Sequence, residues 1–317
     1  MNTHDLYSLL TSSPTLALLA LAIERWVPWP EQWHPIPLLR LFAQYLQSKV
    51  NQPHYSLQQQ RFAGILAVLL LALLCLLPTA IVVYAADFSQ LLGAVVLLSC
   101  LRRQHFIKMI NRVEALALKQ QKRAARALLA QLDYRDSHEL SVHGLLKTTA
   151  ELRLMSLVNH RWGPILAWLL GGPLLALAIR LIVELHSLWP ISVPRYRAFG
   201  LAARTAYLFL LGPVLLLLSL PASLMARLAG RRPAAVIKNS RVWAWPTAKW
   251  LDSFSRWHQF ALGGPIKIQG QRLERQRFSG RAPESHHAQL LRSCTSWDWW
   301  LTLLLVCSTL LLFIYRP

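Results

Sequence analysis

The stretch "GPILAWLLGGPLLALAIRLIVELHSL", Gly163–Leu188, decides the class of fold. Its only charged residues are Arg180 and Glu184, four residues apart, the spacing at which two side chains on a helix form a salt bridge. A helix needs about 20 apolar residues to cross the hydrocarbon core of a bilayer, and this stretch is long enough. Because that core offers no water to unpaired backbone groups, the segment must be helical. It therefore predicts an integral membrane protein.

A Gly-Gly-Pro sequence at 171–173 interrupts this segment, and Gly-Pro at 212–213 interrupts a later apolar run. Proline in a transmembrane helix usually causes a kink. The alternative is a pair of re-entrant half-helices, which would bring residues 150–162 and 184–200 to one face. We expect kinks, because folding back this span alone would move the thirteen lysines and arginines of residues 227–297 across the membrane.

The composition supports the same class of fold. Hydrophobic residues make up 54% of the 317 residues and charged residues 15%, yet the net charge is +20. Apolar and basic residues must therefore occupy different segments, which predicts an all-α, polytopic membrane protein with five or six transmembrane helices and cytoplasmic helical segments. The candidate spans are 6–23, 62–84, 89–101, 163–188, 206–226 and 299–315.

The distribution of lysine and arginine predicts the orientation. Residues 102–161 hold twelve, residues 227–297 hold thirteen, residues 189–205 hold three and residues 1–13 hold none. The positive-inside rule places the richly basic segments in the cytoplasm, in a cell inner membrane, and the 189–205 loop outside. Since this rule already explains the positive charge, we expect membrane lipids rather than nucleic acid as partners.

The predicted organisation has five segments. They are membrane helices with a basic loop (1–101), a cytoplasmic helical segment (102–162), membrane helices (163–226), a basic aromatic cytoplasmic segment (227–297) and a last membrane helix (298–317).

Local patterns add detail to the cytoplasmic segments. Apolar periodicity predicts one long basic helix over 102–132, and Asp136 with Glu139 predicts a capping box for a helix over 141–158. Glu151 has the spacing to pair with Lys147. Tryptophans at 243, 245, 250 and 257 indicate an amphipathic piece at the membrane interface. The four cysteines and eleven histidines contain no CxxC or HExxH spacing, so no metal site is indicated.

Six pieces of sequence occur in a familiar order: "HPIPLLRLF", "RFAGILAVLL", "YRDSHEL", "GPILAWLLGGPLLALAIR", "RYRAFG" and "ALGGPIKIQG". Over residues 14–315 the chain resembles the CbiB/CobD family, membrane adenosylcobinamide-phosphate synthases of cobalamin biosynthesis. AmpE, a membrane protein linked to β-lactamase induction, is a divergent relative in that superfamily. The resemblance implies that an aminopropanol-type amine is joined to a corrinoid carboxylate with ATP and Mg²⁺.

The resemblance also implies site residues. The catalytic candidates are Glu151, Asp136 and Arg135. The binding candidates are His34, Asn159, Glu184, Ser187, Arg195, Arg197, Gly263 and Gly264. Arg195 and Arg197 are chosen because they adjoin Tyr196 and Phe199 and could hold an anionic group.

The sequence departs from the family pattern at its acids. Asn159 and His186 stand where the family has aspartates, and the apolar run near Ala206 and Tyr207 replaces an acidic pair. Mg²⁺ in such a site needs carboxylate ligands, so we expect weakened or lost catalysis. The alternative is a non-catalytic, AmpE-like regulatory or sensor protein.

Overall fold

A computed structural model of the protein describes residues 12–26, 34–232, 240–278, 280–283 and 285–314. The helices in these residues are α1 (Ser13–Trp26), α2 (Pro35–Val50), α3 (Leu57–Ala85), α4 (Ser89–Cys100), α5 (Arg103–Leu118), α6 (Lys122–Leu129), α7 (Val142–Leu157), α8 (Gly163–Leu188), α9 (Leu201–Leu228), α10 (Trp245–His258) and α11 (His287–Ile314). A π-helical turn, Val158–Trp162, joins α7 to α8. The strands β1 (Ile266–Ile268) and β2 (Gln271–Leu273) form an antiparallel hairpin. The all-α prediction is confirmed.

Four helical segments in the described part of the chain are long and apolar enough to cross a membrane: Leu57–Ala85, Val142–Leu188, Leu201–Leu228 and His287–Leu311. Apolar side chains on their surfaces have no protein cover; Leu73 on α3, for example, is 60% exposed. A water-soluble protein rarely exposes such a continuous apolar surface, so these helices belong in a membrane.

Two candidate spans are not among these four segments. The predicted span 6–23 lies partly outside the described residues. The predicted span 89–101 is the 12-residue helix α4, about 18 Å long at 1.5 Å per residue and so too short to cross the hydrocarbon core. It packs against α1 and α8 instead.

The helix α8 reverses direction at its Gly-Gly-Pro sequence. A Cβ atom added at Gly163 would lie 3.7 Å from Cγ2 of Ile179, whereas a straight helix would hold these positions about 24 Å apart. Arg180 likewise contacts the side chain of His160. The reversal uses Gly172 at φ +72°, a conformation that glycine adopts without a steric penalty. The predicted kink is therefore wrong at this site, and the re-entrant alternative is correct for this one of the two segments.

The reversal also corrects the placement of the 189–205 loop. Tyr134, ahead of α7, donates from its hydroxyl to the carbonyl oxygen of Leu188 at 3.2 Å. The chain that follows α8 therefore lies on the same face as the segment before α7, although we predicted it on the opposite side of the membrane. The positive-inside count could not detect this because it assumes that each apolar segment crosses once.

The helix α9 does not reverse. It is continuous through Pro213 and Pro221, and α10 runs beside it in the same direction. Arg204 near its start donates to the carbonyl oxygen of Arg241 at 2.7 Å, and Arg231 just past its end donates to that of Arg256 at 2.8 Å. Residues 240–257 thus run parallel to α9, from the level of its start to the level of its end.

The predicted long helix over 102–132 is broken. The helices α5 and α6 meet at Gln120, whose φ of +60° cannot continue a right-handed helix. The break lets α6 fold back, so that its buried Ala125 and Leu129 pack with Val113 and Leu145 in a small second core. The apolar periodicity was real, but two antiparallel helices satisfy it as well as one long helix.

A buried ionic network ties α1, α5 and α11 to the π-helical turn. Arg161 in that turn contacts the carboxylates of Glu24 and Asp298. Asp298 also accepts from Nε1 of Trp162 at 3.0 Å and from Nη1 of Arg103 at 3.2 Å. Charges at such a depth persist only when they are paired and hydrogen-bonded, so the network fixes the register of these helices.

The tryptophan-rich segment is partly buried in the protein. The helix α10 is amphipathic, but Trp250 is fully buried and packs edge-to-face on Trp297 with ring centroids 5.7 Å apart. Trp243 is also buried, and Trp245 is 43% exposed. The predicted interfacial role is therefore wrong for Trp250 and Trp243, because α10 packs on α9 and α11 and Trp243 stacks on Phe278.

Candidate functional site

The candidate site is built on Glu151 of α7, a carboxylate that is only 2% exposed. Nη2 of Arg135 lies 2.7 Å from its Oε2, and Nη1 of Arg275 lies 3.0 Å from the same oxygen. The backbone N–H of Gly263 donates to Oε1 at 2.8 Å. We call Glu151, Arg135, Arg275 and Gly263 the Glu151 centre. The predicted i,i+4 ion pair between Glu151 and Lys147 does not form, because the two arginines occupy both carboxylate oxygens.

A tight turn at Gly263 and Gly264 brings the Gly263 N–H and Arg275 to this centre. Gly263 and Gly264 have φ of +73° and +91°, and a Cβ on Gly263 would lie 2.1 Å from the carbonyl oxygen of Gln276. Nε of Arg275 donates to the carbonyl oxygen of Gly264 at 2.9 Å, and its guanidinium lies 4.0 Å from the ring centroid of Trp243. The glycines are therefore needed to aim both the N–H and Arg275 at Glu151.

Both ion pairs keep their charge. Burial lowers the pKa of Arg135, but the adjacent carboxylates of Asp133 and Glu151 outweigh this and raise it above its ordinary value. Burial lowers the pKa of Arg275, and Glu151 opposes that effect. Guanidinium groups remain protonated in either case, so the Glu151 carboxylate is neutralised by two permanent cations.

Asp136 holds the hairpin rather than a helix N-terminus. Its Oδ1 accepts from the N–H of Gln269 at 3.0 Å and its Oδ2 from that of Gly270 at 2.7 Å. The capping-box prediction is wrong: Ser141 caps α7, accepting from the N–H of Gly144 at 3.1 Å, while Glu139 pairs with Lys267. Asp136 therefore anchors the β1–β2 turn beside the Glu151 centre.

Two cavities, of about 480 and 370 Å³, share Arg135 and Glu151 as a common wall. Together their described linings carry seven arginines and lysines against four carboxylates. The cations are Arg40, Arg135, Lys147, Arg241, Lys267, Arg272 and Arg275. Lys147 makes no ion pair within the described part of the chain, although Glu151 is near enough to act on its charge. Arg40 and Arg272 pair with acids outside these linings, Glu184 and Glu274, so the excess positive charge is that of Lys147 and Arg241. This excess suits an anionic group rather than a metal cation.

Three positions where the sequence departs from the family pattern meet each other. The hydroxyl of Tyr207 donates to Oδ1 of Asn159 at 3.0 Å, and the Tyr207 ring stacks on His186 with ring centroids 4.3 Å apart. None of the three side chains is a carboxylate. We call them the Asn159–Tyr207–His186 cluster. Where the resemblance implies acids, this chain has polar and aromatic side chains that contact each other.

Glu184 is also neutralised. It pairs with Arg180, as the i,i+4 spacing predicted, and with Nε of Arg40 at 3.1 Å.

His34 caps α2, accepting from the N–H of Ile36 at 3.3 Å. Burial, assisted by the Arg180 guanidinium, lowers the pKa of His34 to about 4, so it is uncharged at neutral pH. The Ser187 hydroxyl donates to the backbone oxygen of Glu184 at 2.8 Å.

The remaining predicted binding residues lie apart. Arg195 and Arg197 are exposed and line neither cavity. The backbone oxygen of Arg195 accepts from Nδ2 of Asn51 at 3.1 Å, which fixes the turn but not its guanidinium. The structure thus brings together Glu151, Arg135, Asp136 and the two glycines. His186 and Ser187 line the larger cavity with Glu151, and Tyr207 joins His186 to Asn159.

The implied Mg²⁺ does not fit these residues. Mg²⁺ requires one or two carboxylates that are free to face it. Glu151 and Asp133 are held by Arg135, Asp136 by backbone N–H groups, and Glu184 by Arg180 and Arg40. Within the described ranges no three His, Cys, Asp or Glu side chains gather into a metal-binding group. Each acid already has a cation or N–H partner.

Sequence reasoning missed Arg275, Arg40 and Arg241. Arg275 lies 124 positions from Glu151 along the chain, and an arginine in a basic segment carries no local mark of such a partner. The sequence does contain one usable signal. Acids are far fewer than lysines and arginines, so a buried acid is expected to have cationic partners.

A model of the family described as "CobD/Cbib protein" matches residues 17–294, which is most of the chain. No curated protein and no solved structure matches the chain. The matched region contains the Glu151 centre, the re-entrant α8 and the Gly-Gly turn. This protein belongs to the CobD/CbiB family, a family of cobalamin biosynthesis.

Proposed function

We propose that this protein is a CobD/CbiB-family membrane protein that has lost most or all of its catalysis and binds an anionic ligand at the Glu151 centre. The family chemistry suggests an anionic corrinoid, recognised through its carboxylate. The ligand's negative charge would meet Lys147, which lines the smaller cavity beside Arg135 and Glu151. Arginine and lysine bind carboxylate and phosphate oxygens strongly in such partly buried places.

The Asn159–Tyr207–His186 cluster carries this proposal. Amide-bond formation with ATP needs Mg²⁺ to neutralise the phosphates during transfer. At three positions where the resemblance implies acids, this chain has an amide, a phenol and an imidazole that contact one another. The candidate catalytic acid Glu151 is enclosed by two guanidinium groups. Binding of the anion could survive these changes, whereas holding the metal could not.

The proposal places the protein in the cell inner membrane with the basic segments around the Glu151 centre in the cytoplasm. Contacts between Asp136 and the β1–β2 turn, and between Glu151 and Arg275, show that residues 133–151 and 263–275 share one face. These two segments belong to the most basic parts of the chain, and positive charge favours the cytoplasmic side.

A regulatory role of the AmpE type is the second candidate function. The same observation supports it, because a binding site without a metal centre can act as a sensor. The two candidates differ in the ligand, and a thermal shift with cobyric acid but not with cell-wall fragments would favour the first.

The proposal predicts the outcome of a complementation experiment. Expressed in a strain that lacks its adenosylcobinamide-phosphate synthase, this chain should not support growth on cobyric acid without cobalamin. An immunoblot of the membrane fraction confirms that the protein is present, and a catalytic family member provides the positive control. Growth that is lost on Glu151→Gln or Asp136→Asn would overturn the proposal.

A further inference from the structure

A groove of about 900 Å³ lies between the first half of α8, the second half of α9 and the middle of α11. Leucines make up most of its lining, and Leu217, Leu220 and Leu304 are 54%, 61% and 63% exposed. These helices are among those apolar enough to cross a membrane. The groove therefore faces a place where the apolar part of a lipid is available to cover it.

The polar groups in the lining fall into two kinds. Trp162 donates to Asp298 at 3.0 Å, Ser308 to the carbonyl oxygen of Leu305 at 2.8 Å, and Ser223 contacts Ser253 at 2.7 Å, so these groups are engaged. Arg227 and Lys249 line the same groove and, within the described residues, neither forms an ion pair.

The acid nearest to Lys249 in sequence, Asp252, is paired with Arg256 at 2.9 Å. Arg227 and Lys249 come from neighbouring parallel helices and lie on opposite sides of the Ser223–Ser253 contact that joins α9 to α10, each four residues from it. The groove thus combines a long leucine surface with two cations that are available to an anionic group.

From this combination we infer that the groove binds a phospholipid with an anionic headgroup. Its acyl chains lie along the leucines, and its anionic headgroup lies between Arg227 and Lys249. A small polar anion would leave the leucines uncovered, and a zwitterionic lipid would bring its own cation to the two that are present. Basic pockets between transmembrane helices bind anionic lipid headgroups in this way.

Native mass spectrometry of the full chain in detergent tests this inference. The protein is titrated with phosphatidylglycerol and, separately, with phosphatidylcholine of the same acyl chains. Wild type should bind one phosphatidylglycerol more tightly than phosphatidylcholine. Arg227→Gln with Lys249→Gln should weaken phosphatidylglycerol binding about 30-fold, and Lys249→Gln alone about 5-fold, while phosphatidylcholine binding is unchanged.

Arg61→Gln with Arg292→Gln is the matched control, because it removes two exposed cations outside the groove. This variant should keep the wild-type affinity for phosphatidylglycerol. The inference fails if wild type binds both lipids equally, if the groove variants retain phosphatidylglycerol affinity, or if a second copy of the chain takes the place of the lipid.

Discussion

Replacing Glu151 by glutamine should destabilise the protein by about 4 kcal/mol, because breaking a buried ion pair leaves uncompensated charge behind. The substitution removes the negative charge between Arg135 and Arg275, whose distances to it are 2.7 and 3.0 Å. Two guanidinium groups would then repel each other in a buried site, where water screens their charges weakly. Unfolding by sodium dodecyl sulfate in mixed micelles, followed by tryptophan fluorescence, measures the loss of stability.

Glu139→Gln is the matched control for this prediction. Glu139 also pairs with a cation, Lys267, but its side chain is 72% exposed and that of Lys267 is 51% exposed. Such surface pairs contribute less than about 1 kcal/mol. If the two variants unfold at the same detergent fraction, Glu151 does not hold the site together.

Gly263→Ala should be the second strongly destabilising change, at about 3 kcal/mol. Gly263 has φ +73°, which costs a residue with a side chain about 1 kcal/mol. The new methyl group would also lie 2.1 Å from the backbone oxygen of Gln276, and relieving such overpacking costs a further 1–3 kcal/mol or so. The turn would have to move, and its N–H would leave Glu151. The same detergent unfolding measures this effect.

Gly270→Ala separates the two contributions. Gly270 has nearly the same backbone angle, φ +76°, but nothing lies within 4 Å of an added Cβ. Gly270→Ala should therefore reduce stability only through the backbone conformation, by about 1 kcal/mol. Equal losses in the two variants would show that the close approach at Gly263 does not constrain the turn.

The sequence was sufficient for features that depend on near neighbours. The apolar segments and the Arg180–Glu184 pair at i,i+4 were predictable because a helix places those residues together whatever surrounds it. The break at Gln120 was not predictable from apolar periodicity, since the pattern is the same for one helix or two.

Features that depend on distant partners were not predictable. Asp136 and Glu139 have the spacing of a capping box, but two backbone N–H groups more than 130 residues away compete for Asp136 and win. A Gly-Gly-Pro sequence allows either a kink or a reversal; contacts such as that of Arg180 with His160 decide between them. The identity of the partners of Glu151 is likewise a property of the tertiary fold.

A titration of the purified chain with inorganic pyrophosphate, followed by calorimetry in EDTA and then in excess Mg²⁺, tests the metal-free anion site most directly. Because seven cations face four neutralised carboxylates around the two cavities, pyrophosphate should bind at least as tightly in EDTA as in Mg²⁺, and Lys147→Gln should weaken it. Pyrophosphate binding that appears only when Mg²⁺ is present would contradict a metal-free anion site beside Glu151.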